Sequence, residues 1–159
     1  MDFIFADIET LAPDSASVLN GALVDPGAAS TPVVLAYRVR SDGVEQPPVS
    51  LKMSAAVGGH SFAFANLTTD PDDFVRRQQL SGSGLDPTAA QGFALAIASA
   101  YVDKRKLPPL KPHGDNILIN FRQRGAFPKI SFSDVLDASK RHDVAYLEKN
   151  FRDRIVLIG

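Results

Sequence analysis

Three aspartates whose carboxylates could bind a metal ion lie in one short segment of the sequence. Asp70, Asp72 and Asp73 stand together, and Arg76 and Arg77 follow them closely. Calcium takes about six to eight oxygen ligands, so a calcium site is one hypothesis for these carboxylates. The glycine and distal glutamate of a calcium loop are absent, whereas Asp and Pro are ordinary turn residues. We therefore favour a solvated turn in which one arginine pairs with the carboxylates.

A second group of polar residues, near the carboxyl terminus, is suited to binding an anion. Arg122, Arg124 and Lys129 surround a predicted loop, and Ser131 stands at a predicted helix start. Guanidinium groups bind carboxylate or phosphate in a two-pronged geometry, and a helix start adds backbone donors. We predict a ligand-binding site at these four residues. A solvated basic loop is the alternative, because Asp134 would itself occupy part of the positive helix end.

The residues that enzymes use for catalysis are missing or scattered. The sequence has no cysteine, which excludes thiolate nucleophiles, disulfides and cysteine zinc sites. His60, His113 and His142 show no metal-ligand spacing, and there is no G-x-S-x-G or phosphate-binding glycine loop. We therefore expect no catalytic residue, no metal and no cofactor. The tripeptide 66–68 fits a glycosylation acceptor, but this pattern is common by chance and we assign it no function.

The elements that would position these groups are clearest near the carboxyl terminus, where strand, helix and strand are predicted. Residues 117–122 are apolar enough to lie inside a sheet. Residues 127–136 contain a helix start, at which Ser131 is predicted to act as cap with Asp134 three residues on. Residues 155–159 are short, β-branched and bounded by glycine, as in a final strand. This order predicts an α/β core.

The amino-terminal part predicts two buried strands separated by a helix. Residues 3–6 and 33–37 are continuous apolar runs, and the second is typical of a strand covered on both faces. Asp14 is predicted to cap a short helix, since apolar residues recur at helical spacing from 18 to 23. Residues 25–27 should end that helix.

The middle of the chain predicts a hairpin and a longer helix. Phe62 and Phe64 alternate with alanines. The turn predicted at residues 70–73, called the aspartate turn below, separates them from residues 74–75, as in an antiparallel hairpin. Asp86 followed by Pro87 predicts the start of a helix that continues to about Tyr101.

Three further segments complete the prediction. Residues 41–48 are expected to form a turn and an extended loop, because paired prolines deny a sheet its donors. Residues 107–115 are expected to be a linker, and residues 143–149 a short helix. Together the elements predict one α/β domain over residues 1–159, with a mixed central sheet, helices on both faces and one antiparallel hairpin.

These segments also carry a family resemblance. The chain resembles the type-two CHASE domain, the cyclase- and histidine-kinase-associated sensory extracellular domain, from Asp2 to Gly159 and in the family's order of elements. The clearest matches lie at residues 64–80, 117–122, 127–136 and 155–159. The residues at family-motif positions are Asp70, Asp72, Arg76, Asn120 and Asp134.

The sequence departs from the family pattern in two ways. The family tends to have glycine where Asp73 stands, but Asp tolerates a left-handed turn conformation better than most residues. The family also has an earlier strand and helix, and more chain after Gly159 that leads into membrane spans. We therefore expect this chain to be a fragment that lacks peripheral elements at both ends.

The resemblance implies an extracytoplasmic sensor in a bacterial inner-membrane receptor, facing the periplasm or the exterior. The output domain would be an adenylate cyclase, a histidine kinase or a diguanylate cyclase. The implied partner is an unknown small ligand or an extracytoplasmic protein, with a homodimer as a further expectation. The domain itself is not expected to be an enzyme. Two alternatives remain open, namely a small-molecule-binding α/β enzyme and a protein-interaction module without a small ligand.

Composition agrees with these expectations. A net charge of -1 with 22% charged residues does not favour nucleic acid or an anionic membrane surface as a partner. No stretch approaches the roughly 20 apolar residues that a membrane helix requires. Contact with a membrane is therefore expected only through flanking helices outside this sequence.

Overall fold

The structure is a computed structural model that describes residues 13–25, 27, 30–40, 43–45, 47–82 and 91–158. The described elements comprise both helices and strands, so the predicted mixed α/β class is confirmed. The strand predicted at residues 3–6 lies outside the described residues. The helices are α1 (Pro13–Val24), α2 (Val49–Val57), α3 (Phe93–Lys104), α4 (Phe132–Lys140) and α5 (Val144–Phe151), and the strands are β1 (Val34–Arg40), β2 (Gly43–Glu45), β3 (Ser61–Phe64), β4 (Arg77–Gln79) and β5 (Asn116–Leu118).

The chain divides into two compact units, residues 1–119 and residues 120–159. The first unit holds α1 to α3 and the five described strands, and the second holds α4 and α5. The described strands of the first unit form two small sheets.

The larger sheet has the order β2-β1-β3 and contains the parallel pair β1 and β3. Tyr37 lies opposite Phe64 in this pair, and both side chains are buried. Parallel neighbours need a crossover connection, which here includes β2 and α2. The hairpin predicted between residues 62–64 and 74–75 is not formed at those residues, because β3 pairs with β1 and residues 74–75 form no strand. An antiparallel bridge does cross the predicted turn, but it joins Thr68 to Arg77.

The smaller sheet pairs β4 with β5 antiparallel, and Gln78 lies opposite Ile117. The strand predicted at residues 117–122 is thus present only in part. It does not lie inside a sheet, since Leu118 is 73% exposed and the partner strand is polar. The final strand predicted at residues 155–159 is not formed in its described part, residues 155–158, because none of the described strands pairs with it.

A hydrophobic core joins α1, α2 and β1. Leu23 of α1, Leu35 of β1 and Leu51 of α2 are buried in one cluster with Ala55. The predicted helix at 14–23 is confirmed, but Asp14 lies within its first turn and not at the N-cap. A carboxylate in that position favours the helix through the dipole.

Helix α2 was not predicted, because Pro47 and Pro48 indicated a loop. Pro48 occupies the N-cap of α2, with φ -51° and ψ 147°. Proline has no backbone N–H, but the first N–H groups of a helix have no partner within the helix. A helix can therefore begin directly after Pro48.

Helix α3 begins later than the sequence indicated. Gly92 is its extended N-cap, and Gly92 also forms a parallel bridge with Phe64. The predicted start at Asp86 and Pro87 lies outside the described residues. Residues 107–115 form neither helix nor strand, as expected of a linker.

The two helices of the second unit differ in how they begin. The Asp143 carboxylate caps α5 by accepting the Tyr146 N–H at 3.0 Å, which confirms the short helix predicted there. Ser131 occupies the N-cap of α4, but its hydroxyl bonds the Ser133 hydroxyl at 2.6 Å and makes no capping bond to the backbone. The predicted capping by Ser131 is wrong in this respect.

Candidate functional site

Charged side chains hold the aspartate turn in one conformation. Arg76 donates to both Asp72 carboxylate oxygens, at 2.7 and 2.8 Å, and to Asp70 at 3.1 Å. The Asp70 N–H donates to the Phe74 carbonyl at 2.8 Å, which closes the turn. The Arg76 guanidinium also lies 5.0 Å from the centre of the Phe74 ring. The predicted ion pair between this turn and one arginine is confirmed.

These ion pairs shift the pKa values of the charged residues in the turn. The guanidinium of Arg76 lowers the pKa of Asp72, and the two carboxylates raise the pKa of Arg76. The part of the chain that the structure describes contains no group of three His, Cys, Asp or Glu residues placed to hold a metal. The carboxylates of Asp70 and Asp72 act here as partners of Arg76.

Asp73 has the left-handed backbone conformation that the sequence indicated. Its φ is +63°, and its N–H donates to the Asp70 carbonyl at 2.9 Å. Glycine adopts this conformation without steric cost, and Asp is among the residues that tolerate it. An aspartate can therefore stand where the family tends to have glycine.

The residues predicted to bind an anion all lie in the second unit. Arg122, Arg124 and Lys129 are exposed, and among the described residues no hydrogen bond or ion pair joins them to each other or to Ser131. The strand before them, β5, pairs antiparallel with β4. The anion site stays a prediction.

The other two family-motif positions in this unit are also on the surface. Asn120 is exposed, and Asp134 lies exposed in the first turn of α4. Asp134 is therefore placed to interact favourably with the positive end of that helix.

The first unit contains a cleft of about 420 Å³ at the carboxyl ends of its strands. Val39 lies near the end of β1, Phe64 ends β3, and Gln79 ends β4. The segment directly after β3 supplies Thr68 and Thr69. Open α/β sheets bind ligands outside the carboxyl ends of their parallel strands, so this cleft is placed where such a site is expected.

Asn66 gives one wall of the cleft its shape. Its Oδ1 accepts the Val39 N–H at 2.8 Å, and its Nδ2 donates to the Val39 carbonyl at 2.6 Å. The amide group therefore pairs with β1 as a backbone peptide would, beyond the point where β3 ends. Thr68 and Thr69 follow on the same segment and line the cleft together with Val39.

Comparison with protein families decides the family of the chain. The model of the CHASE2 domain matches residues 1–159. The chain belongs to the CHASE2 family. No curated protein and no solved structure matches it. CHASE2 domains are extracytoplasmic sensory domains of signalling receptors and are not catalytic by themselves. Of the helices that the structure describes, none has the length and apolarity to cross a membrane.

The cleft of this CHASE2 domain was not identified from the sequence. The sequence pattern predicted an antiparallel hairpin that begins at Phe62 and Phe64, and it assigned no role to Thr68 and Thr69. The available signal was a short apolar strand, β3, followed at once by Asn66, Thr68 and Thr69. Polar residues after a strand indicate a site only if the strand is parallel, and the parallel pairing depends on β1, far away in the sequence.

The double hydrogen bond of Asn66 yields a prediction about stability. We expect Asn66→Ala to lower the free energy of unfolding by about 1–3 kcal/mol, because the Val39 N–H and carbonyl lose their partners in a half-buried position. Urea denaturation measures this change. Asn120→Ala is the matched control, because Asn120 is exposed and makes no hydrogen bond with the described residues. Equal effects of the two variants would contradict the role given to Asn66.

The ion pair of the turn yields a prediction about pH. Because Asp72 has a lowered pKa in the folded chain, the unfolded chain takes up more protons as the pH falls below roughly 4. The contribution of Asp72 to stability is complete above its unfolded-state pKa and is lost as the pH falls through its folded-state pKa. In Arg76→Gln we expect the Asp72 pKa to rise and the loss of stability in acid to become shallower.

An NMR titration of the side-chain carboxyl carbons measures the Asp72 pKa in each variant. Urea midpoints between about pH 5 and 2 measure the stability. Arg77→Gln is the control, because Arg77 makes no ion pair with the described residues. An Asp72 pKa that is the same in the wild type and in Arg76→Gln would show that Arg76 is not its partner in solution.

Proposed function

We propose that this CHASE2 domain senses a ligand on the outer side of a bacterial inner membrane and controls an output enzyme on the inner side. The output would be an adenylate cyclase, a histidine kinase or a diguanylate cyclase, and the membrane spans would lie outside residues 1–159. The observation that carries the proposal is the match of the CHASE2 model over the whole chain. The domain would bind the ligand without converting it.

The cleft supports the ligand-sensing part of this proposal. Its walls come from the ends of β1 and β3 in one sheet and from the end of β4 in the other. A ligand bound there contacts both sheets of the first unit, and it favours whichever arrangement of the sheets gives it the better contacts. Such a difference in affinity between two arrangements is what a ligand needs in order to shift an equilibrium.

Topology can be tested in the full-length receptor. Alkaline phosphatase, which is active only after export, is inserted in the exposed linker at residues 107–115. β-Galactosidase, which is active only in the cytoplasm, is inserted at the same place as the control. We expect active phosphatase and inactive galactosidase. The reverse result would place the domain in the cytoplasm and overturn the proposal.

A homodimer would connect the sensor to its output, because cyclases and histidine kinases of this kind act in pairs. Light scattering after gel filtration would show whether the full-length receptor, purified in detergent, contains two copies. A receptor that is monomeric while its output responds would contradict this part of the proposal.

A protein partner is the second candidate for what the domain recognises. Residues 120–158 expose large apolar side chains, including Phe127 at 73% and Ile158 at 80%. Exposed apolar surface of this kind often contacts another protein. Alanine at Phe127 would then abolish signalling in the receptor while Thr68→Val in the cleft would not, whereas a small ligand in the cleft predicts the opposite pattern.

A further inference from the structure

We propose that residues 121–129, called the cationic loop below, dock on an anionic lipid surface, namely the outer leaflet of the bilayer that carries the receptor. This inference rests on the proposed function in one respect, because it takes the nearness of a membrane from it. It follows from the charge, the exposure and the backbone turn of the loop.

The loop is cationic within a chain whose net charge is only -1. It contains Arg122, Arg124 and Lys129, and no Asp or Glu occurs between Asp115 and Asp134. The charge of the whole chain, which did not favour a membrane surface, therefore conceals a local excess of positive charge. Attraction between a basic cluster and anionic lipids falls off within about 10 Å, so the charge of the loop decides whether it is attracted.

The three cations of the loop are available to an external anion. Arg122, Arg124 and Lys129 are exposed, and their side chains make no hydrogen bond or ion pair with the described residues. Arg76, in contrast, would have to leave two carboxylates before it could bind another anion. Guanidinium groups bind phosphate oxygens through two parallel hydrogen bonds, so the loop is suited to lipid phosphates.

Two phenylalanines of the loop are exposed beside these cations. Phe121 is 65% exposed and Phe127 is 73% exposed. At a bilayer, apolar rings enter the boundary between headgroups and acyl chains while Lys and Arg remain at the phosphates. A lipid surface therefore accepts both kinds of side chain at once, whereas a free phosphate ion would pair with the cations and leave the rings in water.

A tight turn brings the two kinds of side chain to one end of the loop. The Ala126 N–H donates to the Gln123 carbonyl at 3.1 Å, and Gly125 has a φ of +83°, as the third residue of a type II turn does. The chain reverses there, so Arg124 lies at the tip while Arg122 and Phe127 follow on the two arms. Every residue from 121 to 129 is exposed, which leaves this tip open to a flat surface.

An acidic protein is the other partner that such a loop fits, and the proposed function favours the lipid. Membrane spans outside residues 1–159 would hold the domain beside the bilayer, where lipid headgroups have a high effective concentration. A contact that is weak for the isolated chain is then sufficient. Vesicles contain no protein, so binding to them separates the two partners.

The test measures how much of the 159-residue chain sediments with lipid vesicles. Phosphatidylcholine vesicles have no net charge, and vesicles with an equal share of phosphatidylglycerol are anionic. Because each cation at an anionic surface raises affinity about fivefold, we expect binding to the anionic vesicles to be tighter by on the order of 100-fold. Failure to bind the anionic vesicles, or equal binding to both kinds, would overturn the inference.

Backbone NMR locates the contact and identifies the source of the phosphate. With anionic vesicles we expect the amide signals of residues 121–129 to broaden more than those of other exposed residues. Inorganic phosphate is the soluble comparison, and it should leave these signals almost unchanged. Equal effects of inorganic phosphate and of vesicles would assign a free-anion site to the loop and overturn lipid docking.

A double variant tests the assigned cations. Arg122→Gln combined with Arg124→Gln should weaken binding to anionic vesicles by about 25-fold. Arg77→Gln combined with Lys111→Gln is the matched control, since it removes the same charge from exposed cations outside the loop that make no ion pair with the described residues. Circular dichroism confirms that both variants fold. Equal losses in the two would show an effect of total charge and overturn the role of the loop.

A single variant tests the exposed ring. Phe127→Ala should weaken binding to anionic vesicles by about fivefold, because the ring no longer enters the headgroup boundary. Phe74→Ala is the control, since Phe74 is 63% exposed but lies outside the loop. The same affinity in Phe127→Ala as in the wild type would contradict insertion of the loop.

The two levels of the proposal fail in different ways. A cytoplasmic location in the reporter experiment would overturn the sensory function, whatever the cationic loop binds. An exported domain that does not bind anionic vesicles would overturn only lipid docking. An exported domain that binds them and loses binding in the double variant of Arg122 and Arg124 supports both.

Discussion

Replacing Leu51 by alanine is expected to lower the free energy of unfolding by about 2–5 kcal/mol. Leu51 is 2% exposed and packs in one cluster with Leu23 and Leu35, so it joins α2 to α1 and to β1. Alanine would remove the contacts of the buried side chain and leave a cavity that three different elements would have to close. Urea denaturation followed by circular dichroism measures the change.

Met53→Ala is the control for the change at Leu51. Met53 lies in the same helix and is 65% exposed, so its removal should change the free energy of unfolding by no more than about 0.5 kcal/mol. A similar loss in the two variants would mean that α2 does not present Leu51 to α1 and β1 in solution.

The elements that the sequence predicted well are those specified by neighbouring residues. In α1 the apolar residues recur at helical spacing, and Leu19 and Leu23 do face the core. Asp143 caps α5, as a carboxylate before a helix is expected to do. The aspartate turn forms around Asp70 to Arg76 because its hydrogen bonds and its ion pairs are all local.

The elements that the sequence did not predict depend on distant partners. The turn was located correctly, but turn chemistry does not say with which strand β3 pairs. The parallel pairing with β1 creates the cleft, so the site could not be predicted once an antiparallel hairpin had been assumed. Helix α2 was missed for another reason. The two prolines that precede it, Pro47 and Pro48, are equally compatible with a loop and with the start of a helix.

The apolar segment at residues 155–158 shows that residue types alone do not determine whether a strand forms. Its β-branched residues have a high preference for strands, yet a strand forms only where a neighbour accepts and donates its backbone hydrogen bonds. No such neighbour is present among the described strands, and Ile158 is 80% exposed. Preference for a strand therefore did not lead to a strand.

The second large effect is expected at Gly58, the residue that follows α2 and lies against the backbone of α1. A Cβ atom at this position would lie 1.9 Å from the Leu23 carbonyl oxygen and 3.0 Å from the His60 ring. The nearest atom belongs to the backbone of α1, so it cannot move aside as a flexible side chain would. We expect Gly58→Ala to lower the free energy of unfolding by about 3 kcal/mol, because the two helices must separate.

Gly21→Ala is the matched control, and we expect it to act in the opposite direction. Gly21 lies within α1, and apart from the neighbouring backbone of that helix no atom of the described residues lies within 4 Å of the position that its Cβ would take. Alanine is favoured over glycine in a helix interior by roughly 0.5–1 kcal/mol, so this variant should be more stable than the wild type. Urea midpoints of the two variants should therefore lie on opposite sides of the wild-type value. Stabilisation by both changes would contradict the contact between α1 and α2, whereas destabilisation by both would contradict the open surface of α1 at Gly21.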